Sequence, residues 1–84
     1  MNSNQRKTLT AIFASPTPKN LAWADIESLL LALDCKLIEG SGSRIAFIRD
    51  GRKADFHRPH PGKEAKPYQV RNARDFLNTL GVRP

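Results

Sequence analysis

The sequence carries a single cysteine, Cys35, among its 84 residues. An intrachain disulfide is therefore excluded, and so is a zinc site built on cysteine. No apolar run approaches the ~20 residues that a membrane-spanning helix needs. Met1 to Lys7 is polar and lacks the apolar segment of a signal peptide, so a cytoplasmic location is expected. Aromatic residues are few: one Trp, one Tyr and four Phe. A domain of this size buries only about 60% of its unfolded surface, so nearly every large apolar side chain is needed for the core. The length suits one domain over residues 1–84. There is no glycine-rich phosphate loop of the P-loop or dinucleotide type, and no cofactor is expected.

Acidic residues are also scarce. Eight Asp and Glu face fourteen Lys and Arg, a net charge of +6. That balance favours a polyanion or an acidic protein as partner. The charge is unevenly placed. Arg44, Arg49, Arg52, Lys53, Arg58, Lys63, Lys66, Arg71 and Arg74 crowd one stretch, whereas Ala24 to Asp34 carries only acids.

Periodicity predicts the elements. Leu9, Ile12 and Phe13 mark a short helix within Ser3 to Ala14. Pro16 and Pro18 then break it, giving a linker up to residue 18. Trp23, Ile26, Leu29, Leu30 and Leu33 form one apolar stripe of a helix over about Ala22 to Asp34, with Asp25 and Glu27 at its positive end. Lys36 to Glu39 is a short strand, followed by the turn Gly40-Ser41-Gly42-Ser43. Its backbone amides are candidates for holding a phosphate, although a plain turn explains them as well. Arg44 to Arg49 and Arg52 to Arg58 flank Asp50-Gly51, a hairpin signal. A two-residue turn sets Arg49 opposite Arg52, Phe47 opposite Ala54, Ile45 opposite Phe56 and Arg44 opposite His57. Ile45, Phe47, Ala54 and Phe56 then face the core, and Arg44 and His57 meet on the other face. After a Pro-, Gly- and Lys-rich loop, a last helix spans about Pro67 to Leu80. Val70, Ala73, Phe76, Leu77 and Leu80 are its buried side; Arg71, Arg74 and Asn78 are expected to face outward. Gly81 is placed to end it.

The expected class is α+β: a short N-terminal helix, then α-β-β-β-α over residues 19–82. Two helices on one face of a three-stranded antiparallel sheet is the layout of a double-stranded-RNA-binding domain.

The two histidines, His57 and His60, lie within four residues. Histidine exchanges protons near neutrality. Metal-free RNA cleavage needs a base for the 2′-OH, an acid for the leaving 5′-oxygen and cations for the charge gathered in the transition state. His57 and His60, with Arg44, Arg58 and Lys63 nearby, meet that list. A solvated loop with no chemistry is the plain alternative. A metal site has few ligands here, with only Asp55 beside the two histidines, and none is expected. Ser41 and Ser43 read as turn residues, and Cys35 as a small buried apolar side chain.

Asn20-Leu21-Ala22-Trp23-Ala24-Asp25-Ile26-Glu27-Ser28-Leu29-Leu30, Gly42-Ser43-Arg44, Arg58-Pro59-His60-Pro61-Gly62-Lys63-Glu64 and the terminal Leu80-Gly81-Val82 together resemble the HicA toxin family. The resemblance runs from about Lys19 to Val82. It implies the double-stranded-RNA-binding-like fold, a messenger-RNA interferase activity and a HicB-type antitoxin as partner. It also implies a Gly-Ser-His motif at the second strand, whose histidine is catalytic in the family. Here that position is Arg44, which stays protonated and is no ordinary general base. His60 matches the family's second histidine, and His57, opposite Arg44, is placed to supply the missing imidazole. The residues expected to act are thus His57 and His60 in proton transfer and Arg44 as stabiliser. Lys36, Ser43, Arg58 and Lys63 are expected to hold the RNA backbone. A non-catalytic RNA-binding module and a protein-interaction domain for an acidic partner are the alternatives.

Overall fold

A computed structural model describes all 84 residues. Its elements are α1 (Ser3–Ile12), α2 (Trp23–Ala32), β1 (Lys36–Glu39), β2 (Arg44–Arg49), β3 (Arg52–His57) and α3 (Pro67–Thr79). This is the expected α-α-β-β-β-α order. The helices and the last strand end one or two residues earlier than the sequence suggested, because their terminal residues leave the regular ladder. The chain thus has an α+β fold, with a three-stranded antiparallel sheet ordered β1-β2-β3. No helix is long and apolar enough to cross a membrane.

Local chemistry sets each boundary. Asn2 caps α1 reciprocally with Gln5: its side chain accepts from the Gln5 amide at 2.8 Å, and the Gln5 side chain accepts from the Asn2 amide at 2.9 Å. α2 has no side-chain cap; the Trp23 amide donates instead to the Lys63 carbonyl at 2.9 Å. α2 ends where Asp34 takes a left-handed conformation, φ 63°, a role short polar side chains tolerate. α3 starts on Pro67 and ends at Gly81, φ 73°, with the Val82 amide donating back to the Leu77 carbonyl.

The hairpin has the register counted from its turn. Asp50 and Gly51 both have positive φ, 53° and 74°, as a two-residue turn of this hand demands. Arg49 pairs with Arg52, Phe47 with Ala54, Ile45 with Phe56 and Arg44 with His57. β1 adds Leu37 opposite Phe47 and Ile38 opposite Ala46. Alternation then sends Leu37, Ile45, Phe47, Ala54 and Phe56 toward the helices.

One apolar cluster results. Ile26, Leu29 and Leu30 of α2, Phe47 of β2, and Val70, Ala73 and Leu77 of α3 are all fully buried. α1 joins the same cluster through Leu9 and Ile12. Arg74, expected to face outward, is half-buried: its guanidinium donates to the Ile12 carbonyl at 2.8 Å and reaches the Ala14 carbonyl at 3.3 Å. It satisfies carbonyls left unpaired at the end of α1, for which a long cation is suited.

Candidate functional site

The three-stranded sheet leaves one face without helices, and the site lies at one end of it. Lys36, Ile38, Arg44, Ala46, Ile48, Lys53, Asp55 and His57 share this face by register. Arg44 and His57, both exposed, are direct cross-strand neighbours where β2 begins and β3 ends. An open cleft of about 360 Å³ adjoins them, with Ser41 on its rim.

Two contacts fix the strand that carries His57. Gln69 is nearly fully buried on α3, 2% exposed, an unusual state for an amide side chain. Its Nε2 donates to the His57 carbonyl at 2.6 Å, and its Oε1 accepts from the Lys66 amide at 3.0 Å. One buried amide thereby ties together the two ends of the loop that runs from His57 to Lys66. The second contact is Arg58. Alternation turns it to the helix side, opposite to His57. There Nε lies 2.8 Å from Glu27 Oε2 of α2, and Nη1 lies 2.7 Å from Glu39 Oε1 of β1. The hydrogen bond to Glu27, then that to Glu39, hold the guanidinium pKa above its ordinary value, so its charge is permanent. Glu27 also accepts from the Trp23 indole, whose ring stands 5.1 Å from that of Phe56. The Arg58 amide donates to the Ser43 carbonyl at 2.9 Å, extending the hairpin one residue beyond Arg44 and His57.

The residues singled out in the sequence are thus brought together only in part. Arg44, His57 and Ser43 meet at one sheet end. Lys36 shares the exposed face but lies opposite Ile48, four residues and about 13 Å along β2 from Arg44. His60 and Lys63 are exposed in the loop, outside the cleft beside His57. That loop is anchored to the start of α2 by a bridge between Ala22 and Glu64 and by the Ala65 amide donating to the Leu21 carbonyl. Arg58, expected on RNA, spends its guanidinium on two carboxylates. No three His, Cys, Asp or Glu side chains are grouped as metal ligands.

Sequence reasoning missed Gln69, Glu27 and Glu39. A signal existed for the first and the last. Gln69 precedes Ala73 by four residues and so continues the buried stripe of α3. Arg58 and Glu39 fall on the helix side if strand alternation is carried one residue further.

Comparison with known proteins gives one positive result. The family model described as HicA toxin of bacterial toxin-antitoxin matches residues 23–82. No curated protein and no solved structure matches the chain. The matched span begins with α2 and takes in the whole sheet, the anchored loop and α3. The chain belongs to the HicA toxin family of bacterial toxin-antitoxin systems.

Proposed function

We propose that this chain is a toxin acting as a metal-independent endoribonuclease, which cleaves messenger RNA in the cytoplasm and is neutralised by a HicB-like antitoxin. The observation that carries this reading is the pairing of Arg44 with His57 on an exposed, helix-free sheet face. Family membership supports the reaction class, and the register supplies an imidazole beside the position where the family has one.

In the proposed reaction, His57 takes the proton of a ribose 2′-OH as that oxygen attacks the adjacent phosphorus. The new bond joins the 2′-oxygen to phosphorus, and the bond to the 5′-oxygen breaks. The leaving 5′-oxygen gains a proton from His60 of the loop that follows β3. Arg44 opposes the negative charge on the phosphoryl oxygens, which is greatest in the transition state. Lys36, Ser43 and Lys63 hold the flanking backbone, where contacts to phosphate and sugar carry no sequence information. Arg58 acts through the strand, as a positioning residue for His57.

RNA cleavage by the purified protein in EDTA, set beside a His57→Ala/His60→Ala variant, tests the reading. Cleavage by the unaltered protein alone is expected. Equal cleavage by both would remove the histidines from the chemistry.

A second reading rests on Arg44 itself, which replaces the residue implied to be catalytic in the family. It makes the chain a non-catalytic RNA-binding protein. Salt-sensitive RNA binding without cleavage would decide for it.

A further inference from the structure

The exposed face of the sheet is hollow next to the Arg44–His57 pair. Register sets two rows of residues side by side there: Ile38, Ala46 and Asp55 in one, Gly40, Arg44 and His57 in the other. Gly40 and Ala46 are small, so the rows enclose a depression, and all six residues line the 360 Å³ cleft. This volume falls within the ~300–1,000 Å³ of small-molecule sites. Ala46 is its floor, only 7% exposed, and Ile38 is one wall, 42% exposed although apolar. Gly40 lies close against β2: a Cβ there would stand 3.3 Å from the Arg44 carbonyl oxygen. The opposite wall is Asp55. Its Oδ1 lies 3.5 Å from Lys53 Nζ, an exposed and therefore weak pair.

We propose that this cleft is a nucleobase subsite, and that Asp55 selects bases carrying an exocyclic amino group. The proposal rests on the RNA-cleaving reading given above. A base lying over Ala46 and against Ile38 removes its own face and the exposed Ile38 side chain from water. Its phosphate then falls beside Arg44 and its ribose beside His57, as cleavage requires. Splayed single-stranded bases are read on their edges, and a carboxylate accepts from the N4 amino group of cytosine. Uracil places a carbonyl oxygen at the same position, so its edge opposes Asp55 with like partial charge. Adenine carries an amino group there as cytosine does. A duplex keeps these edges paired, so the subsite takes only unpaired RNA.

The test uses the full chain with hexacytidylate and hexauridylate, both blocked by 2′-O-methyl groups so that cleavage does not intervene. Dissociation constants are read by fluorescence anisotropy at one fixed salt concentration. Cytidylate binds tighter by about tenfold, the lower part of the range for a good edge contact. Asp55→Asn brings the ratio to about one, because an amide can turn either group to the base. Ala46→Leu fills the floor and weakens both oligonucleotides to a common residual affinity. Equal affinities in the unaltered protein, or an unchanged ratio in Asp55→Asn, overturn the proposal. Should unblocked RNA be cleaved while the ratio is one, the subsite falls and the ribonuclease reading stands. A tenfold ratio without cleavage keeps the subsite and removes the catalysis. Failure to bind either oligonucleotide overturns the subsite, and with no cleavage of unblocked RNA it overturns the ribonuclease reading too.

Discussion

Gln69 of α3, itself buried, donates to the carbonyl of His57, the last residue of β3, across 2.6 Å. Gln69→Leu leaves that carbonyl and the Lys66 amide without their partner. Unsatisfied groups of this kind cost about 1–3 kcal/mol. A lowered Tm is expected, together with a fall in kcat larger than any rise in KM, since the imidazole loses its setting rather than the RNA its contacts. Gln69→Glu keeps the acceptor for Lys66 but donates to His57 only when protonated. Its stability, measured against pH, recovers relative to Gln69→Leu as the pH falls.

Arg58 is a clamp among three elements, and its loss is felt in the strand. With side-chain exposures of 37% for Arg58 and 17% for Glu27, the pair is partly screened. A double-mutant cycle of Arg58→Ala and Glu27→Gln is expected to give a coupling of about 1 kcal/mol. Arg58→Lys fails to restore it, because one ammonium lacks the fork that reaches Glu27 and Glu39 together.

Arg44→Ala removes the fixed cation beside the proposed reacting phosphate. Cleavage falls by about 10²–10³, the usual cost of one preorganised transition-state donor. Affinity for blocked RNA falls much less. A loss confined to affinity would make Arg44 a simple phosphate anchor.

α1 lies before the matched family span yet supplies Leu9 and Ile12 to the core. Ile12 is fully buried. Ile12→Ala is expected to destabilise the whole domain by about 2–5 kcal/mol, in one cooperative denaturant transition with unchanged slope. A separate early transition would show α1 to be an appendage.

Burial pushes the pKa of Cys35 above its ordinary value of 9.0, with the nearby acids adding to the shift and Arg49 opposing it. The folded thiol therefore keeps its proton at pH values where the unfolded one has lost it. Its contribution to stability is whole below pH 9 and is lost as the pH rises beyond that. Cys35→Ala removes this term. The stability difference between the two proteins should shift in the variant's favour from pH 8 to pH 10.

Much of this was legible in the sequence because the deciding signals are local. Asp50-Gly51 and a period of two are enough to place Arg44 opposite His57, with no knowledge of the helices. The α3 stripe gave its buried side, though Gln69 was passed over because an amide does not look like core. The ion pairs of Arg58 were hidden for another reason. Its partner Glu27 is 31 residues away on α2, and no periodicity links them. Arg74 likewise reaches back 62 residues to Ile12. The cleft was illegible as well, since it is made by what Gly40 and Ala46 lack.

The two-residue turn at Asp50-Gly51 makes the hairpin a ruler for the proposed chemistry. His57 faces solvent because it is the sixth residue after Gly51, and Phe56, the fifth, faces the core for the same reason. One residue inserted in β3 before Phe56 without a compensating bulge exchanges these faces, sending an imidazole inward and a phenyl ring outward. For this strand, length is under tighter constraint than the identity of its exposed residues, and drift by substitution is open to it where drift by insertion is not.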